Sequence, residues 1–123
     1  PPRRASDLTV GRYWVSDYGN AEENPEHFKF LYKYSPLHNV KDGIVCPPLM
    51  VTSADTDDRV VPMHAKKWVA TLQEKDAGDN PILLRVETKA GHGGGKPTTK
   101  RIEEAADTYA FLVKTFGMKM QGE

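Results

Sequence analysis

Two short apolar runs constrain this chain more than any other feature. Residues 49–52 read Leu-Met-Val-Thr and residues 82–88 read Ile-Leu-Leu-Arg-Val-Glu-Thr. The apolar residues of the first run are consecutive rather than alternating, the pattern of a strand whose two sheet faces are both covered. Each run leads into a polar or glycine-rich loop and then into an amphipathic helix. After Pro62, Ala65, Trp68, Val69 and Leu72 form one apolar stripe. From Thr98 or Thr99, Ile102, Ala105, Ala106, Tyr109, Leu112, Val113 and Phe116 form a second, and Gly117 supplies a stop. Strand, loop, helix, repeated, predicts an α/β fold with parallel strands joined by a right-handed crossover. Parallel neighbours end at the same sheet edge, where ligands bind in such folds. The loops after the two strands, residues 53–59 and 90–95, are therefore expected to face each other across one cleft. Two strands do not make a covered sheet, so the sheet is expected to be incomplete.

Upstream, Asn24-Pro25-Glu26 reads as a helix start, with Asn24 as cap and Pro25 at the first helical position. Phe28, Leu31 and Tyr32 follow at helical spacing, and Pro36 should end that helix. Residues before Asn24 show aromatic punctuation without a period and read as irregular structure or short helix.

Composition bounds the partners. The 123 residues carry 17 basic and 17 acidic side chains, so the chain offers no electrostatic case for nucleic acid or an anionic membrane. A hydrophobic share of 38% is lean for a self-sufficient core of this size and fits a piece completed by another segment. No apolar run approaches the roughly 20 residues needed to span a bilayer. No secretory signal is read in the polar start, and a start without methionine suggests a processed, cloned or excised piece. Cys46 stands alone, which excludes an internal disulfide and fits a reducing compartment such as the cytoplasm.

The two loops carry the chemistry. An acid beside a histidine can orient the imidazole, fix its tautomer and stabilise the imidazolium formed when the other nitrogen takes a proton. Asp57 or Asp58 could supply the acid and His92 the base, with glycines placing the ring at a loop tip. A plainer alternative is an Asp-rich turn satisfying its own amides, beside a surface histidine. Asp55-Thr56-Asp57 opens like a calcium loop, but Arg59 takes a ligand position and Val60 stands where glycine is needed. Gly95-Lys96 opens like a phosphate-binding loop, but Ala90 and Pro97 replace its first glycine and its hydroxyl residue. No metal and no cofactor are expected.

These loops carry a family resemblance. Ala54-Asp55-Thr56-Asp57-Asp58-Arg59-Val60-Val61-Pro62 and Lys89-Ala90-Gly91-His92-Gly93-Gly94-Gly95-Lys96-Pro97-Thr98 resemble the acid and histidine loops of prolyl oligopeptidases. Thr9-Val10-Gly11-Arg12-Tyr13-Trp14-Val15-Ser16-Asp17-Tyr18-Gly19 and Tyr32-Lys33-Tyr34-Ser35-Pro36-Leu37-His38-Asn39-Val40 are similar to further family segments. The resemblance runs from about Leu8 to about Phe116. It implies the carboxy-terminal portion of an α/β-hydrolase fold over residues 8–123, with residues 1–7 as an atypical leader or junction. The parent it implies is a serine peptidase acting on short proline-containing peptides, with the remainder of the catalytic domain and a β-propeller as partners. Its triad runs Ser, Asp, His along the chain. By resemblance Asp57 is the triad acid and His92 the base. The resemblance further implies that Arg59 hydrogen-bonds a substrate carbonyl, Trp14 stacks on the substrate proline ring, Tyr18 helps stabilise the oxyanion, and Val60 lines the same pocket.

The serine is missing from the pattern. The nucleophile of this fold needs a strained Gly-x-Ser-x-Gly turn, and none of Ser6, Ser16, Ser35 and Ser53 sits in one. Cys46, followed by Pro47-Pro48 and placed before a strand, does not replace it. The nucleophile is expected upstream of Pro1, and the chain alone is expected to be inactive. A macrocyclising transpeptidase on the same scaffold is the nearest alternative, and a non-catalytic peptide-binding module the next. A peptidase cutting after basic residues fits the two loops less well. Trp68 and Tyr109 are expected to pack, His27, His38 and His64 to be solvated, and Lys66 and Lys67 to lie on an exposed helix face.

Overall fold

The computed structural model describes residues 9–93 and 96–119, so the expected leader and two loop glycines, Gly94 and Gly95, lie outside the described residues. A 3-10 turn, Thr9–Trp14, runs into a one-turn helix α1, Val15–Tyr18. Helix α2, Pro25–Tyr34, starts as the sequence predicts. Asn24 is extended, its side-chain oxygen accepts from the Glu26 and His27 amides at 2.9 and 3.3 Å, and Pro25 occupies the first turn. Pro36 does more than end this helix. It holds Ser35 extended, which stops α2, and then opens α3, Pro36–Asn39. His27 departs from its expected solvation. It is half-buried, its Nδ1 accepts from the Asn20 amide at 3.0 Å, and its ring packs 5.4 Å from that of Phe30.

Strand β1, Leu49–Ala54, pairs in parallel with β2, Ile82–Glu87, from Leu49 opposite Ile82 to Ala54 opposite Glu87. Helix α4, Met63–Lys75, connects them and packs on the pair. Buried Cys46, Val69, Leu72 and Ile82 form the core, with Val40, Ile44, Leu49, Val51, Trp68 and Leu84 around it. Trp68 thus packs as expected. The segment before β1 is tied to the turn after α4: the Cys46 amide donates to Asp76 Oδ1 at 2.7 Å and Asn80 Nδ2 donates to the Cys46 carbonyl at 2.8 Å. Burial and the nearby Asp76 carboxylate both push the Cys46 thiol upward, away from thiolate chemistry.

Helix α5, Thr98–Thr115, ends at Gly117, whose φ of 60° and following Met118-to-Val113 bond of 2.9 Å make a left-handed helix stop. Charge ties it to β2. Arg85 Nε donates to Asp107 at 2.7 Å, and Lys100 Nζ donates to Glu87 at 3.0 Å and to the Thr88 carbonyl. Glu87 is only 6% exposed; its carboxyl is held below the usual range by Lys100, against burial, with help from Arg85.

The α5 stripe corrects one expectation. Tyr109, expected to pack, is 67% exposed, and Ile102, Leu112 and Phe116 are exposed as well. The helical period was legible; the partner of the stripe was not, because a two-stranded sheet is too narrow to cover it. Phe28 and Tyr32 of α2 are also exposed, stacked on each other at 5.6 Å. Among the described residues each strand is moreover a sheet edge. The isolated chain is therefore expected to self-associate or to unfold broadly. Sedimentation velocity should show mass rising with concentration; a monomer with a sharp, reversible thermal transition would contradict this.

Candidate active site

The parallel register brings both loops to one edge, and the pairing continues past the strands. The Asp55 amide donates to the Glu87 carbonyl at 2.9 Å. The Thr56 amide and hydroxyl both donate to the Ala90 carbonyl, at 3.2 and 2.7 Å. The Ala90 amide donates back to Asp55 Oδ1 at 3.3 Å. The Asp55 carboxyl is held below its usual range chiefly by the Lys89 amide, against burial, with the Ala90 and Thr56 amides and Lys100 adding to it. Lys89 has a φ of 52°, a left-handed conformation that costs a non-glycine residue about 1–2 kcal/mol.

Past this point the loops present their side chains to each other. His92 Nδ1 lies 2.8 Å from Asp57 Oδ2. The other carboxylate oxygen, Oδ1, accepts from the Arg59 and Val60 amides at 3.0 and 2.8 Å. Local pattern left Asp57 and Asp58 open and the family resemblance pointed to Asp57; in the structure it is Asp57 that meets His92. The geometry also reconciles the two readings of the Asp-rich turn, because Asp57 caps its own loop with one oxygen and meets the imidazole with the other. Burial pushes the Asp57 carboxyl up, but the Val60 amide, the His92 ring and the Arg59 amide outweigh it and hold the carboxyl below its usual range. An ionised carboxylate only accepts, so Nδ1 must carry the hydrogen and Nε2 is left as the basic nitrogen. The Asp57 side chain is 11% exposed and the His92 side chain 42%. His92 sits at the centre of a three-residue turn closed by the Gly93 amide on the Gly91 carbonyl at 2.8 Å, which puts the ring at the loop tip.

The remaining candidate residues divide. Trp14, at the end of the 3-10 turn, and Arg59, in the acid loop, line one open hollow of about 380 Å³ with Tyr13 and Asp58. Trp14 is 45% exposed and Tyr18 is more so, which excludes both from the core of this chain. Tyr18 and Val60 do not line the hollow. Asp58 was read from sequence only as an alternative acid and Tyr13 was given no role; Asp55 and Thr56, weighed only as part of a calcium loop, were not expected to bond the second loop, about 35 residues away. No serine hydroxyl among the described residues bonds His92; Ser35 Oγ instead meets His38. Among the described residues no His, Cys, Asp and Glu cluster could hold a metal, and no helix is long and apolar enough to cross a membrane.

Two parallel strands with flanking helices, presenting loops at their carboxyl edge, are the carboxy-terminal part of an α/β-hydrolase domain. The chain belongs to the prolyl oligopeptidase family of serine peptidases, whose family model matches residues 4–119. It is 50% identical over 112 residues to prolyl oligopeptidase A of Amanita bisporigera, covering 90% of this chain and 15% of that protein. It is 40% identical over 116 residues to a dual function macrocyclase-peptidase of Galerina marginata, covering 93% of this chain and 16% of that protein. A solved prolyl endopeptidase structure superposes with a TM-score of 0.82 at 44% identity, over 91% of this chain and 16% of that one. The chain thus spans about one sixth of the length of the proteins it matches.

The lowered carboxyls set an acid limit on the site. A group whose folded value is depressed stabilises the folded loops fully above its ordinary value, about pH 4, and stops doing so as pH falls through the depressed value. Protection of the Val60 and Ala90 amides, measured by hydrogen exchange corrected for intrinsic rate, should therefore decline below about pH 4. In Asp57→Asn the decline at Val60 should be blunted. Val60 protection that is independent of pH across this window would contradict the geometry.

Proposed function

We propose that this chain is the acid–base part of a serine endopeptidase that cleaves short peptides after proline. The observation that carries the reading is the 2.8 Å contact between His92 Nδ1 and an Asp57 carboxylate pinned by two loop amides. A serine supplied by the rest of the catalytic domain attacks the scissile carbonyl and its proton passes to His92 Nε2. Asp57 stabilises the imidazolium. As the C–N bond breaks, His92 gives that proton to the leaving amine, leaving an acyl-enzyme. A water then attacks, its proton passing through His92 back to the serine as the acid product departs.

The other roles follow from the chemistry of each side chain. Trp14 offers a flat indole to the pyrrolidine ring of the substrate. Arg59 offers donors that stay charged at neutral pH to the neighbouring carbonyl. Their shared hollow supports this pairing. Tyr18 directs its hydroxyl to the developing oxyanion, which requires its approach to the serine in the complete enzyme. Val60 completes the apolar wall there. In that enzyme a β-propeller accompanies the catalytic domain. The isolated chain, without the serine, is inactive.

A second reading is favoured by the similarity to a macrocyclase-peptidase. There the acyl-enzyme is resolved by a peptide amine instead of water, with the same roles for Asp57 and His92. Product analysis by mass separates the two, because a cyclised product lacks one water.

In the complete enzyme Asp57→Asn should lower kcat by about 10⁴-fold and His92→Ala at least as much, measured with a fluorogenic proline peptide. Trp14→Ala should lower kcat/KM for proline peptides by roughly 10- to 100-fold and relax the preference for proline. Wild-type rates in Asp57→Asn and His92→Ala would overturn the reading.

A further inference from the structure

Two residues immediately before Asp57 hold both backbone polar groups of the residue two positions before His92. Ala90 is buried. Its carbonyl accepts from the Thr56 amide at 3.2 Å and from the Thr56 hydroxyl at 2.7 Å. Its amide donates to Asp55 Oδ1 at 3.3 Å. The hydroxyl bond is the shortest of the three, and it uses a second lone pair that the ladder alone would leave unfilled. Asp55 meanwhile faces the amides on both sides of the left-handed turn at Lys89, the turn that swings the chain from β2 into the histidine loop.

The consequence is geometric. Asp57 follows Thr56 directly, and His92 follows Ala90 by two residues. A slip of one loop against the other by a fraction of the 2.7 Å clamp would open the 2.8 Å Asp57–His92 contact beyond hydrogen-bond range. The Asp57 carboxylate cannot follow, because its other oxygen is fixed by the Arg59 and Val60 amides. We infer that Asp55 and Thr56 form a cross-loop clamp on Ala90 that sets the register of His92 against Asp57, so that both are positioning residues for the acid–base pair. This inference rests on the proposed catalytic reading of that pair. The clamp touches no reacting atom and acts through the Asp57–His92 pair.

The test uses the complete enzyme. Thr56→Val removes the hydroxyl and keeps the branched shape; Thr56→Ser keeps the hydroxyl. Thr56→Val should lower kcat by roughly 10- to 100-fold, with KM and the thermal midpoint unchanged. Thr56→Ser should return kcat to within about twofold of wild type, since the bond is retained. Asp55→Ala releases the Ala90 amide from the same clamp and carries the test if Thr56→Val fails to fold, again with loss in kcat and not in KM. Wild-type kcat in these variants, a Thr56→Ser enzyme as slow as Thr56→Val, or a loss confined to KM would overturn the clamp. Asp57→Asn and His92→Ala are measured alongside. If they are inactive while Thr56→Val is fully active, the clamp alone is wrong; if they are fully active, the catalytic reading falls and the clamp falls with it.

Discussion

Every functional distance in this chain descends from the parallel pairing of residues 49–54 with 82–87. Parallel strands share an exit edge, so the two chemically unusual loops leave the sheet side by side. The register then decides which residues meet. With Ala54 opposite Glu87, the ladder runs on through Asp55 and Thr56 to Ala90, and the next side chains in reach are Asp57 and His92. A slip of one residue would turn every side chain of one strand to the opposite face and dissolve this meeting. The sheet serves as a gauge between two loops more than as a core.

The site works because each polar group has two obligations. Asp57 gives one oxygen to its own loop and one to the imidazole, so its orientation is fixed from two sides. Asp55 is held by amides of the opposite loop, and Glu87 by Lys100 and Arg85. These carboxylates share a logic: burial disfavours the charge, and directed donors more than restore it. The same pattern stands in for packing along α5. Among the described residues most of its apolar stripe stays exposed, and ion pairs from Asp107 and Lys100 fix the helix to β2. Helix, strand and histidine loop are thereby joined at Glu87 and Thr88.

Much of this was legible in the residues. Asn24 and Pro25 announced α2, the consecutive apolar run at Leu49 announced a strand, and strand–helix alternation gave the parallel sheet and the facing loops. His92 and a neighbouring aspartate were readable as a pair, but local pattern could not choose between Asp57 and Asp58, because the choice depends on which one the Arg59 and Val60 amides capture. The fate of Tyr109 was not readable, since helical period reveals an apolar face and not its partner. His27 was misread for a related reason: its bond to the Asn20 amide closes a turn whose shape only the fold defines. Thr56 gave no signal at all, its partner lying 34 residues away. The failures concern partners that a residue's own helix or strand does not supply, and the successes concern periods, caps and the order of elements.

The claim at the centre is that this chain supplies the acid and the base but not the nucleophile. The most direct measurement treats the complete enzyme, wild type and His92→Ala, with a fluorophosphonate probe and maps the adduct by peptide mass. The expected result is an adduct on a serine outside these 123 residues, formed in the wild type and lost in His92→Ala. An adduct on Ser6, Ser16, Ser35 or Ser53, or equal labelling without His92, would contradict it.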